Sequence, residues 1–492
     1  MNFIAAMDRS EPPASLTSPL IRGAIVALVV LFFAITNLPW TLDDYDQAKQ
    51  AYTSFEMVGQ GHWFYQHTPN EGVATKPPLV GWVSAVLFEA TRWWDGAWRL
   101  PSFLAALVLL WLIGREASAA YGSTGGLVAL SAFGLNLLAP RLATLVRTDM
   151  PLALASFLVG WQIWRHIRLA QPWTTRDRTI AFVLLSCAMM IKGPIIYAFI
   201  LPGLIAYQIV RRWTGAPSAW SGLWPWLLSL AVFLAWAIGG IRGQPGFYDS
   251  VVIREFAGRF TETIHKPQPP YFYLPHLLHK FAPWSLLLIG FGLFFWRRRG
   301  RIMRPETLWL VCWSIGALVI MSVIPSKRVD RIFPVVPPLC LLLGAQVAAL
   351  GEIERWRART RPWLAAALLF AVFFTGGYVA WKISQARAAR SDALVQFSKR
   401  VRAEAEKYHW RYEVVGGREE GMLLYLRRPH FVKPEDALRA WQAGQLDALV
   451  VRNQPFRDWR GLLPDAQLLF ISEKSDELGQ YSLFARSGTQ VR

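Results

Sequence analysis

Apolar runs long enough to cross a bilayer recur along this chain up to about residue 381, and no other feature limits its fold as strongly. A helix needs about 17 to 25 apolar residues to span the hydrocarbon. The first run, Ile21 to Trp40, follows a polar leader containing Pro and Ser; it has no small-residue cleavage site and reads as a retained anchor rather than a signal peptide. Further runs lie at 99–115, 124–142, 149–165, 179–192, 194–210, 222–241, 281–296, 306–324, 331–350 and 362–381. Together they predict an all-α polytopic membrane bundle of about eleven transmembrane helices. The 53% hydrophobic content and 25 tryptophans exclude an ordinary soluble enzyme or a disordered chain. A net charge of +19 would suggest nucleic acid in a soluble protein. Here the arginines sit in short inter-helix loops, where membrane topology accounts for them, so no nucleic-acid partner is expected. Cys187, Cys312 and Cys340 all fall in apolar runs without metal-ligand spacing and offer neither a disulfide framework nor a zinc site.

Residues 77–91 are apolar as well, and loop charge decides their place. If they do not span, Arg115, the Arg165–Arg178 cluster, Arg211 and Arg212, WRRRGRIMR and ERWRARTR all share one face with the N-terminus, the cytoplasmic face by the positive-inside rule. If they did span, those arginines would lie outside. The segment is therefore expected to be an interfacial helix, with Lys76, Trp82, Arg92, Trp93 and Trp94 at its ends and Pro77 and Pro78 in its first turn.

This topology places loops 41–98 and 242–280, the turns near 143–148, 192–193 and 325–330, and everything after about 381 on the outer side. Acids and bases collect there in TLDDYDQAKQ, GQGHWFYQHTPNEGVATKPP, VRTDMP, IKGP, REFAGRF, HKPQPPYFYLP and PSKRVDRIFP. Each has a plainer explanation taken alone. Asp43 and Asp44 could open an interfacial helix, Asp149 could cap one, Lys192 could snorkel at a break, and Lys327 and Arg328 could be a rim pair. Their collection at one face points instead to a shared site, because ionisable groups at membrane depth are unfavourable unless paired or wetted.

These stretches resemble the polytopic glycosyltransferases of the GT-C class, in the aminoarabinose-transferase-like and protein-mannosyltransferase-like branch (glycosyltransferase family 39/83 type). The resemblance runs in order through Asp43-Asp44, Thr75 to Leu79, Arg99 to Ser102, Asp149 to Pro151, Lys192 to Pro194, Arg254 to Phe260, His265 to Pro275 and Ser326 to Arg328. It implies inverting transfer of a sugar from a polyprenyl-phosphate donor to a glycolipid, glycan or protein acceptor outside the membrane, with Asp43 as the base. Three positions depart from the family pattern. Thr75 stands where relatives carry a glutamate that is a candidate metal ligand, so no cofactor is assigned and a divalent ion is in doubt. Asp46 and Gln47 stand where relatives often have arginine and tyrosine.

The chemistry fits those residue types. A phosphate leaving group already carries its charge well, so the protein needs one base for the acceptor hydroxyl and cations aimed at the phosphate oxygens. Asp43 is assigned as that base; Lys76, Lys192 and Arg259 are assigned to the donor phosphate. Asp149 is placed in the catalytic set, holding a cation or a sugar hydroxyl. Asp44 and Lys327 are taken as substrate-binding, and Glu255 and His265 as either orienting the acceptor or binding a metal. A donor with an isoprenoid tail remains in membrane lipid, and no Gly-rich phosphate loop argues for a nucleotide sugar. A transporter or flippase is the alternative, against which stand the absence of a repeat of spans and the clustering of polar residues at one face. The catalytic domain is placed at 1–381 in the bacterial inner membrane. Residues 382–492 read as a small extracytoplasmic α/β domain, with strands near YEVVG, LDALVV, AQLLFIS and YSLFAR and a helix at PEDALRAWQAG; it is expected to be a packing lid.

Overall fold

The structure, a computed structural model, describes residues 18–42, 44–69, 72–259, 267–297, 303–417, 419–453, 459–463, 465–473 and 479–488. The helices come in chain order as α1 Pro19–Ile35, α2 Tyr45–Gln60, α3 Leu79–Thr91, α4 Leu100–Gly134, α5 Ala139–Ala143, α6 Asp149–Leu169, α7 Thr175–Lys192, α8 Ile195–Thr214 and α9 Trp224–Gly243. After them come α10 Tyr273–Lys280, α11 Trp284–Arg297, α12 Pro305–Val323, α13 Val336–Gly351 and α14 Glu354–Ala388. A helix coincides with each expected span. The two expected at 99–115 and 124–142 are the two halves of α4, separate helices that meet at Gly122 (φ 75°, ψ 174°) and fold back on each other, a Cβ on Gly114 lying 2.7 Å from Leu130 and one on Gly126 2.8 Å from the Ser118 Cα.

Among the described residues, six helices are long and apolar enough to cross a membrane, or seven if α10 and α11, bent by 107°, act as one span. The outward faces of α9, α12 and α14 expose Leu227, Leu234, Val319, Leu369 and Phe373, an apolar exterior that lipid covers. Inside, α8 crosses α12 at backbone contact. A Cβ on Gly316 would lie 2.5 Å from the Gly203 nitrogen, so only glycine permits this approach. The 13 residues of α3 reach about 20 Å, well short of a hydrocarbon core of about 30 Å. It packs against α2 at one end of the bundle, as a helix lying along an interface would.

The C-terminal unit adds α15 Ala393–Lys407, α16 Glu420–Leu426, α17 Pro434–Gln442 and α18 Trp459–Leu462 around β1 Tyr412–Val415, β2 Ala448–Arg452, β3 Ala466–Ile471 and β4 Tyr481–Arg486. The sheet order is β1-β2-β4-β3, with β1 parallel to β2 and the other pairs antiparallel. All four strands fall on the expected runs, and α17 on PEDALRAWQAG. One buried cluster, with Ala437, Trp441, Leu449 and Phe484, lies within the unit, and a second joins it to the bundle. Leu394, Phe397, Val414 and Met422 share a buried cluster with Ala48, Ala51 and Tyr52 of α2 and Phe88 of α3.

Candidate functional site

Six stretches of backbone bring the charged residues together. The α2 helix starts at Tyr45 because the Asp44 side chain accepts from the Gln47 amide, and it presents Asp46, Lys49 and Gln50 on one face. The loop ahead of α3 delivers Thr75 and Lys76, and the starts and ends of α6 and α7 supply Asp149 and Lys192. A π-helix, Tyr248–Phe256, supplies Arg254 and Glu255; such helices often mark functional sites because the extra residue per turn re-aims side chains. The turn before α13 adds Arg328, Asp330 and Arg331. These residues enclose a polar cavity of about 370 Å³, lined by seven Lys and Arg side chains against four carboxylates, a surplus that suits an anionic ligand.

The ion pairs are cross-chain. Lys192 Nζ donates to Asp149 Oδ1 at 2.5 Å, with both side chains about nine-tenths buried. Asp149 therefore does not serve as a helix cap; Thr148 holds that position, and the carboxylate in the first turn anchors a lysine 43 residues on. Lys76 pairs with Glu255 across 179 residues. Arg147 is the hub. Its guanidinium donates to both oxygens of Asp44 at 2.9 and 2.8 Å and to Asp330 Oδ2 at 3.1 Å. Arg328 donates to Asp46 Oδ2 at 2.6 Å. Burial alone would raise the Asp46 carboxyl; the hydrogen bond and charge of Arg328, with Arg147 and Lys76, outweigh it and hold that carboxyl below its ordinary range. Burial lowers the Lys49 ammonium, against the opposing pull of Glu420 and Glu255.

A second, apolar groove of about 400 Å³ runs between α8 and α12 past Pro194, Ile195, Ala198, Ile320, Met321 and Ile324. It shares Thr75, Lys76, Lys192, Glu255 and Arg331 with the charged cavity, so the two meet at these cations. Behind the Asp44–Arg147 pair lies a third cavity of about 420 Å³, lined by Arg99, Arg141, Lys382 and Gln385 among others.

Asp43, assigned as the base, lies outside the described residues, as does His265. The residues on either side of Asp43 are held firmly. Arg99, 3% exposed, donates to the Thr41 carbonyl at 2.8 Å and to the Thr144 carbonyl at 2.7 Å. The Leu42 amide donates to the Tyr425 hydroxyl, and Asp44 is gripped by Arg147. A Cβ on Gly421 would meet the Leu42 carbonyl oxygen at 2.6 Å, so α16 can lie against this strand only with glycine there. Glu420 beside it is 7% exposed; burial raises its carboxyl, against the pull of Lys49.

Of the sequence-predicted site residues, Lys76, Lys192, Asp149 and Glu255 converge on the cavity. Asp44 faces the third cavity instead. Arg259 closes a short 3₁₀ turn, Ala257–Arg259, and its side chain is outside the described residues. Lys327 turns away, donating to the Gln268 carbonyl at 2.9 Å, while its neighbours Arg328 and Arg331 line the cavity. Sequence reasoning gave no role to Lys49, Arg147, Arg254 or Arg331. All four stood inside stretches it had singled out or next to residues it chose, so local charge density was the available signal. Among the described residues, no three His, Cys, Asp or Glu side chains in the cavity reach metal-ligand spacing, and Thr75 offers no carboxylate.

No family model matches the chain. It is 26% identical over 373 residues to the undecaprenyl phosphate-alpha-4-amino-4-deoxy-L-arabinose arabinosyl transferase of Pectobacterium atrosepticum, covering 70% of this chain and 63% of that protein. It is 27% identical over 391 residues to an enzyme of the same name from Pseudomonas fluorescens, covering 72% and 62%. The aligned part thus spans somewhat under two thirds of these relatives. In structure it is similar to ArnT from Cupriavidus metallidurans bound to undecaprenyl phosphate, with a TM-score of 0.71 at 17% identity over 95% of this chain and 98% of that one. It is also similar to the oligosaccharyltransferase AglB of Archaeoglobus fulgidus, with a TM-score of 0.50 at 11% identity over 88% and 69%. The pairing of charged cavity with apolar groove therefore sits in a fold similar to that of ArnT, and the sequence likeness is to arabinosyl transferases of the same kind.

Proposed function

We propose that this chain transfers a sugar from a polyprenyl-phosphate donor to an envelope acceptor, whether lipid A, another glycan or a protein hydroxyl, on the extracytoplasmic face of the bacterial inner membrane. The observation that carries this reading is the wall shared by the charged cavity and the apolar groove at Lys76 and Lys192. A polyprenyl phosphate is one molecule with those two halves. Its hydrocarbon is stable against Ile195, Ile320 and Ile324, and its phosphate oxygens need the cations at the groove's head. The names of the relatives, and the undecaprenyl phosphate held by the Cupriavidus protein, support the same donor class.

In this reading Lys76 exchanges Glu255 for a phosphate oxygen, while Lys192, oriented by Asp149, holds a second. The acceptor hydroxyl gives its proton to Asp43 and its oxygen attacks the anomeric carbon from the side opposite the phosphate. The bond from that carbon to the phosphate oxygen breaks, and polyprenyl phosphate leaves with the electron pair, so configuration inverts. The third cavity, on the far side of Asp44, is the approach for the acceptor. We route no step through a metal and assign no other cofactor, the family's glutamate being Thr75 here. The C-terminal unit contributes by fixing Leu42.

Purified protein supplied with a labelled polyprenyl-phosphate sugar and acceptor is expected to release polyprenyl phosphate. Asp43→Asn should reduce turnover by about 10²–10⁴-fold yet still bind donor. Unaltered turnover in that variant removes the base assignment, and donor movement between leaflets without bond cleavage identifies a transporter. Mass spectrometry of envelope glycoconjugates with and without the gene names the sugar and its recipient.

A further inference from the structure

We propose that Glu56, His62 and His67 form a binding site for a divalent transition metal of the zinc type, separate from the sugar-transfer site. Their ligand atoms lie within 4.8 Å of one another. Glu56 stands in the last turn of α2, its side chain 2% exposed. Gly61, at φ 82°, ends that helix in the left-handed conformation and turns the chain back, so that His62 meets Glu56 Oε1. His67 returns five residues later, its Nδ1 3.8 Å from the same oxygen and its amide donating to Glu56 Oε2 at 3.4 Å.

Proton placement argues for a cation at the centre. Gln244 Oε1 lies 3.1 Å from His67 Nε2, and in this amide orientation Nε2 carries the hydrogen. In the neutral ring Nδ1 is then a bare lone pair. It is buried, has no hydrogen-bond partner among the described residues, and faces a carboxylate that is itself a Lewis base. Two imidazoles and one carboxylate are a borderline-soft donor set, and an outer hydrogen bond that fixes a ligand's tautomer is usual in histidine metal sites. His62 is 45% exposed, which leaves room for water to complete a four-coordinate ion.

The surroundings are built before any ion arrives. Trp236 Nε1 donates to the Phe64 carbonyl at 3.1 Å, the Tyr65 hydroxyl donates to the Trp236 carbonyl at 3.1 Å, and the Tyr65 and Trp236 rings stack. The loop is thereby docked on α9 independently of the two histidines. From His67 the connection to the charged cavity is short: the Gln66 carbonyl accepts from the Ala74 amide at 2.8 Å, two residues before Lys76. An ion here clasps the end of α2 to the loop that presents Lys76 and to Gln244 at the end of α9.

The test uses full-length protein without a histidine tag, washed with chelator, dialysed and titrated with Co²⁺. A saturable ligand-field absorption with a single ion per chain, displaced by Zn²⁺, is expected. It should vanish in His62→Ala and in His67→Ala, and Gln244→Ala should weaken binding by about 10–100-fold. Gln244 is not a ligand, so this variant keeps the test decisive if either histidine variant does not fold. Absence of a saturable signal in the wild type would overturn the proposal. A signal that survives both histidine substitutions, or full affinity in Gln244→Ala, would also overturn it.

Discussion

Lys76→Ala is expected to lower kcat/KM for sugar transfer by about 10²–10³-fold, the scale seen when one preorganised donor to a developing charge is removed. Lys76 lies where the charged cavity and the apolar groove join, so on the proposed reading its ammonium meets the phosphate whatever sugar is attached. Its charge matters more there than in water, because hydrocarbon on one side lowers the local dielectric. Lys192 cannot fully substitute, being committed to Asp149 at 2.5 Å. Donor binding and turnover should fall together, since the lysine holds the phosphate before and during bond cleavage. Near-wild-type kinetics in Lys76→Ala would move the phosphate elsewhere in the cavity.

Arg147→Met should be the most destabilising single change at the site, by about 3–5 kcal/mol, the cost of stranding a buried charge. The Arg147 side chain is 9% exposed and that of Asp330 is 7% exposed; without the guanidinium, Asp330 keeps Arg141 at 3.4 Å. The same loss releases Asp44, at the head of α2, from the loop ahead of α6. Adding Asp330→Asn should restore part of the stability, because a buried carboxylate that has lost one of its two arginines is then gone, and the two effects should be non-additive. Thermal unfolding in detergent reads both. A single mutant as stable as the wild type, or a double mutant with strictly additive losses, would contradict the hub role.

The fold was largely legible because its main signal is strong: long apolar runs mark helices in any membrane context, and short strand-like runs marked the four strands of the C-terminal unit. The dip in apolarity near Gly122 marks the reversal between the two helices of α4; what the sequence did not show is that the reversal takes a single non-helical residue. The site was legible as a set of stretches and less so as side chains. Within an irregular turn no periodicity says which way successive residues face; Lys327 takes the Gln268 carbonyl while Arg328 and Arg331 line the cavity. The π-helix and the docking of α16 on Leu42 depend on tertiary contacts, which a single sequence does not print. Residues 382–492 were expected to be a packing lid, and they touch the segment leading to Asp43 at Leu42, through Tyr425 and Gly421.

The central claim is that acids and bases distant in sequence meet in one extracytoplasmic cavity against lipid. Labelling of single-cysteine variants Lys76→Cys and Lys192→Cys with a membrane-impermeant thiol reagent, in a background lacking Cys187, Cys312 and Cys340, tests it most directly. Both positions should react from the periplasmic side of intact spheroplasts, and both should be protected by added polyprenyl phosphate. Reaction of one of them only after the membrane is opened would place the two lysines in different compartments and contradict the account.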